Sequence, residues 1–129
     1  MCMGGHVIKT WSKDQSVIAL SSGEAELHAA NYGSAQALGL CSFANDLGVN
    51  LNVNLLIDAK ATVGVIRRRG LGKVRHIEVQ DLWLQEAVKG KKIQLEKVPS
   101  ARNTADLMTK PLTRAEIWNH MGNLGADWH

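Results

Sequence analysis

SSGEAELHAANYGSAQALGLCSFANDLG, residues 21–48, lies between two strand-like stretches, HVIKTWS (6–12) and VNLLI (53–57), and its reading decides the fold. Ser21, followed three residues later by Glu24, can form a capping box that ties up amide donors at a helix start. Behind it Ala25, Ala29, Tyr32, Gln36, Leu40, Phe43 and Leu47 recur at helical intervals. Gly48 is placed as a stop, because glycine takes the left-handed conformation without a Cβ penalty. The spacing predicts one helix of about 24 residues. Gly33 and Gly39 weaken it locally, by up to about 1 kcal/mol each relative to alanine. Close packing of this helix against a sheet would account for small residues there.

Working outward, His6–Ser12 alternates as a strand does, and Lys13–Ser16 reads as a polar turn before the short apolar run Val17–Leu20. On the other side VNLLI reads as a buried strand with Asp58 at its carboxyl end. Lys60–Arg69 reads as a short helix closed by Gly70 and Gly72. Arg75–Lys89 reads as a further helix, with Ile77, Leu82, Leu84 and Val88 as its apolar positions and Gly90 as its end. KIQLEKV (92–98) alternates and stops at Pro99. The loop Ser100–Asn103 then leads to Thr104, expected to cap the turn that carries Asp106. Thr113 with Glu116 predicts a second capping box, opening a last helix that runs to about Asn123. Trp11 and Trp83 are expected in the core, while His6, His28, His120 and His129 have no ligand spacing and are expected at the surface. The alternation of strands and helices points to an α/β fold with helices packed on a central sheet. Only three strands are legible, a thin sheet that leads one to expect a missing piece at the front.

Composition narrows the function. A chain of 129 residues is the size of one domain, and 45% hydrophobic with 21% charged residues is ordinary globular usage, which argues against disorder. Cys2 and Cys41 are too few for a disulfide framework and are expected to be free thiols of an intracellular protein. Residues 1–10 lack the apolar core of a signal peptide and no run approaches a membrane span, so a cytoplasmic or nuclear setting and no membrane partner are expected. A net charge of +3 is weak evidence for nucleic acid by itself. Its distribution is more informative. Between Ala59 and Ile77 there are six cations (Lys60, Arg67, Arg68, Arg69, Lys73, Arg75) and no carboxylate. Such a stretch can track phosphates or simply form a solvated helix end.

Three acids stand where a surface ion pair is not the obvious use. Glu26 lies early in the long helix, Asp58 ends an apolar strand, and Asp106 sits in a turn between Ala105 and Leu107. If they converged, carboxylates without histidine or thiolate would suit Mg²⁺ or Mn²⁺, and paired ions can activate water against a phosphodiester. Each also has a plainer use, complementing a helix dipole or capping a helix.

KTWSKDQSVIALSSGEAELHAA (9–30), LLIDAKATVGVI (55–66) and KVRHIEVQDLWLQEAVKGKKIQLEKVPSARNTADLMTKPL (73–112) together resemble the ribonuclease H domains of copia-type retrotransposon polyproteins. The most specific parts are the His-Ile-Glu element at 76–78 and the closing Ala-Asp-x-x-Thr-Lys-Pro-Leu at 105–112. The resemblance implies a ribonuclease H-like fold, a mixed central sheet flanked by helices, over residues 5–112, with 113–129 as a C-terminal helix and tail. It implies metal-dependent hydrolysis of the RNA strand of an RNA–DNA hybrid, with Glu26, Asp58 and Asp106 as catalytic carboxylates holding two Mg²⁺ or Mn²⁺ ions. Arg67, Arg68, Lys73, Arg75 and His76 would contact the substrate, although a histidine at a helix start can equally serve the backbone. The natural setting would be the reverse transcriptase portion of a polyprotein. The family's first metal-binding aspartate lies on a strand upstream of the Gly-Gly at 4–5, and Met1–Gly5 contains no acid. Asp14 is the only carboxylate before Glu24. The expectation is therefore an N-terminally truncated fold with an impaired site, or a non-catalytic remnant that binds nucleic acid. An exposed sheet edge where that strand belongs would favour self-association.

Overall fold

A computed structural model describes residues 1–10, 22–70, 82–108 and 110–125. In chain order its elements are β1 (Cys2–Met3), β2 (His6–Val7), α1 (Ser22–Asp46), β3 (Val53–Ile57), α2 (Lys60–Arg67), α3 (Trp83–Lys89), β4 (Ile93–Lys97), 3₁₀ turns at Ser100–Arg102 and Thr104–Met108, and α4 (Arg114–Asn123). This is a small α/β fold with flanking helices and mixed strand topology: β1 pairs antiparallel with β2, and β3 pairs parallel with β4. The described strands thus form two separate pairs, not the single three-stranded sheet read from the alternation. The expected polar turn Lys13–Ser16, the run Val17–Leu20 and Trp11 lie outside the described residues.

The chain divides into two compact units, one of residues Gln15–Lys97 and one of Met1–Asp14 with Val98–His129. In the first, β3 and β4 run in register from Val53 opposite Ile93 to Ile57 opposite Lys97. Parallel neighbours cannot be joined by a tight turn, and here the connection carries α2 and α3. Leu27 and Ala30 of α1, Val53 and Ile57 of β3, Val63 and Ile66 of α2, Leu84 and Ala87 of α3, and Ile93 of β4 close the core. Burying each of the larger aliphatic side chains contributes roughly 1.5–3 kcal/mol. Trp83 is partly buried against this core, and so is the free thiol of Cys41.

Helix α1 has the expected length but not the expected inner face. Its packed stripe is Leu27, Ala30, Ser34, Ala37, Leu38 and Cys41, whereas Tyr32, Phe43 and Leu47 point outward, Leu47 with 68% of its surface exposed. The larger apolar residues misled the reading of phase, because small side chains let the helix lie close to the sheet. Gly39 does not serve that approach, since a Cβ there would meet nothing within 4 Å. Leu56 of β3 is likewise 53% exposed, so the strand is not buried throughout. Gly48 ends α1 as expected. Its φ is +79°, its N–H donates to the Asn45 carbonyl at 2.9 Å and the Val49 N–H to the Ala44 carbonyl at 2.9 Å, the paired bonds of a Schellman cap.

α3 ends at Lys89 and α4 at Asn123 as read, whereas α2 departs from the reading. α2 stops at Arg67, two residues early, and the described part of the next helix starts at Trp83; residues 75–81 lie outside the described set. At its far end Gly90 is the C-cap; the Lys91 N–H donates to the Val88 carbonyl and the Lys92 N–H to the Ala87 carbonyl, which puts Lys91 at the left-handed position, with φ +58°.

In the second unit β1 and β2 make a short hairpin that the alternation of His6–Ser12 did not reveal. Gly4 and Gly5 both have positive φ, as a two-residue primed turn requires, and pair Met3 with His6. The ladder is two residues long, so the strand ends at Val7 and Ile8–Thr10 continue outside it. Asn103, not Thr104, caps the next turn, its side-chain Oδ1 accepting from the Ala105 N–H at 3.3 Å. Thr113 and Glu116 form the expected capping box. His120 of α4 is buried at 3% exposure, against the surface position read for it, and His28 of α1 is half-buried. His6 is exposed.

A lysine at a left-handed position strains its Cβ by roughly 1–2 kcal/mol. Lys91→Gly is therefore expected to stabilise the protein by about 1 kcal/mol, read as a higher denaturant midpoint at an unchanged slope. The Thr113 hydroxyl and backbone N–H, both donating to the Glu116 carboxylate, hold its pKa below the ordinary glutamate value. A depressed carboxyl contributes stability above its unfolded pKa and loses it as pH falls through the folded one. Titration of Glu116 by NMR should give a low midpoint that rises towards the ordinary value in Thr113→Ala.

Candidate nucleic-acid interface

The acids come first, because the resemblance gives them the chemistry. Glu26 sits half-buried in the second turn of α1, and Asp58 half-buried directly after β3. Glu24, two residues earlier and expected only to cap, is the more deeply buried of the two helix glutamates, at 7% exposure; its Oε1 lies 4.0 Å from His28 Nε2. Asp106 is 9% exposed and engaged: Lys110 Nζ donates to its Oδ2 at 3.0 Å. A carboxylate held by an ammonium one helical turn away has its charge compensated without a metal.

Among the described residues no three His, Cys, Asp or Glu side chains come together in a group that could hold a metal ion. This corrects the expectation of a two-ion Mg²⁺ or Mn²⁺ centre on Glu26, Asp58 and Asp106. A two-ion centre needs carboxylates from several segments to converge around the pair of ions. Nothing in the three local environments signals this failure in the sequence, because convergence is a property of the fold.

The cations are arranged differently. The last turn of α2 and the residues after it, Arg67, Arg68 and Arg69, line a cavity of about 380 Å³ together with Ile66, Gly70, Gln85, Glu86, Val88 and Lys89. Four cations and one carboxylate face this space, so its field favours an anion. Arg67 is exposed and reaches back to donate to the Leu95 carbonyl at 3.4 Å, Arg68 is half-buried, and Arg69 is exposed. Lys73, Arg75 and His76, read as further contacts, lie outside the described residues. Lys89 and Gln85 were not singled out from the sequence; Lys89 stands twenty residues or so beyond the arginines and only the helix brings it to them. Among the described residues no helix is long and apolar enough to cross a membrane.

No family model matches the chain, and no solved structure matches it. Curated proteins do. The chain is 28% identical over 112 residues to the "Retrovirus-related Pol polyprotein from transposon TNT 1-94" of Nicotiana tabacum, covering 85% of this chain and 8% of that protein. It is 26% identical over 127 residues, 96% of this chain and 9% of the relative, to the "Retrovirus-related Pol polyprotein from transposon RE1" of Arabidopsis thaliana. The "Transposon Ty1-NL2 Gag-Pol polyprotein" of Saccharomyces cerevisiae is 29% identical over 117 residues, again 85% of this chain but 6% of the relative. The chain is thus homologous, at low identity and over most of its length, to retrotransposon polyproteins, and spans less than a tenth of the relatives' own length.

With no grouped ligands, millimolar Mg²⁺ should raise the thermal midpoint by less than about 1 °C. A rise of several degrees that disappears in Asp58→Asn would show that these carboxylates do assemble.

Proposed function

We propose that this chain is a ribonuclease H-like module of retrotransposon origin that binds nucleic acid, an RNA–DNA hybrid above all, and does not hydrolyse it. The observation that carries the reading is the cavity at the end of α2, where Arg67, Arg68, Arg69 and Lys89 outnumber Glu86. Homology to retrotransposon polyproteins supports the origin. That no metal-holding group of three forms among the described residues favours binding over catalysis.

In this reading residues 5–112 make the module, residues 113–129 are an appended helix and tail, and the module's setting is beside a reverse transcriptase. Arg67 and Arg68 contact phosphates, and Lys73, Arg75 and His76 continue the contact along the strand. Guanidinium groups suit this because they present forked donors to phosphate oxygens. Contacts of this kind position a nucleic acid without reading its bases, so little sequence preference is expected.

Titrating a labelled hybrid against the folded protein at several salt concentrations tests the reading. Affinity should fall as salt rises, and Arg67→Gln with Arg68→Gln should flatten the log–log slope by roughly 1.5–2, the share of two phosphate contacts. Folded protein that does not bind, or binds independently of salt, sinks the proposal. So does Mg²⁺-dependent release of RNA fragments that Asp58→Asn abolishes.

A further inference from the structure

The arginines follow the last turn of a short helix, where backbone carbonyls have no partners within the helix. A glycine cap like that of α1 would normally satisfy them. Here the chain leaves α2 in an extended conformation at Arg68, with ψ 177°, and a side chain from another helix does the work. Gln85 of α3 donates from Nε2 to the Val65 carbonyl at 2.9 Å and to the Gly70 carbonyl at 3.1 Å, and its Oε1 accepts from the Gly70 N–H at 2.9 Å. Two acceptors on one side and a donor on the other fix which way the amide faces. One primary amide therefore ties both ends of a short segment, Ile66–Arg69, which comprises the last two residues of α2 and the two that follow.

From this geometry we infer that Gln85, which lines the cavity, is a positioning residue for anion binding: its amide is committed to backbone partners and holds the arginine run in the conformation that meets phosphates. The inference rests on the nucleic-acid reading above and adds the residue on which that site's preorganisation depends. A loop already ordered before binding loses less conformational freedom when the phosphates arrive. The number of phosphates contacted is set by the arginines, whereas the probability that they stand ready is set by the amide.

This separates Gln85 from the cations by experiment. Gln85→Met keeps the length of the side chain and removes all three hydrogen bonds. It should weaken binding of an RNA–DNA hybrid by about tenfold, the usual scale of a lost preorganising contact, and leave the salt slope unchanged. In the unliganded protein the Gly70 amide should be protected from hydrogen exchange, and the protection should vanish in the variant while the amides of β3 and β4 keep theirs. Unaltered affinity in Gln85→Met, beside weakened binding in the arginine variant, overturns the role of Gln85 and leaves the nucleic-acid reading standing. Wild-type binding by the arginine variant removes both. If Gln85→Met does not fold, exchange of the wild-type Gly70 amide decides alone: protection supports the clamp and free exchange overturns it.

Discussion

Parallel pairing of Val53–Ile57 with Ile93–Lys97 is the constraint on which residues 15–97 depend. Parallel strands need a crossover, and the crossover must cover the face of the pair it joins. α2 and α3 carry that connection, and Ile66, Leu84 and Ile93, each at 1% exposure or less, mark where the helices meet the strands. Moving β4 by one residue would turn Ile93 outward and bring Gln94 in, so the register and the core define each other. The same arrangement brings α3 alongside the end of α2, and without it Gln85 and Lys89 would be far from the arginines.

Charge and carboxylate chemistry are settled differently by this frame. Cations need only be near one another to create a field, and a run such as Arg67–Arg69 is local in the chain, so a modest contribution from α3 completes a cationic cavity. A hard-metal centre is more demanding, since several oxygens from distant segments must converge within coordination distance. Asp106 instead pairs with Lys110, one helical turn away. The short-range partner prevails where no metal is built in.

Several elements were legible because their signals are short-ranged. The Thr113–Glu116 capping box, the Gly48 stop and the alternation of KIQLEKV each depend on neighbours within a few residues, and each forms. One local signal was displaced by one position. Asn103 caps in place of Thr104, because an Asx side chain reaches the N–H two residues on. The helix that Gly90 was read to end does stop at Lys89 with Gly90 as its cap, and the left-handed position falls on Lys91 beyond it. The hairpin at Gly4–Gly5 was present in the sequence as a Gly-Gly pair, but its strands are too short for alternation to show.

By itself the sequence determined the α/β alternation, the extent of the long helix, the basic stretch after β3 and the likeness to retrotransposon polyproteins, all carried by local pattern or by whole-chain similarity. Tertiary structure alone decided which stripe of α1 is buried: Tyr32, Phe43 and Leu47 look inward by size, but the small residues Ala30, Ser34 and Ala37 allow the closer approach. It also decided that no metal-holding group of three forms among the described residues, and that a glutamine unremarked in the sequence holds both ends of the arginine segment. The reason is common to all three. Periodicity and caps are set within a turn or two of chain, whereas convergence of side chains depends on where distant segments are brought by packing.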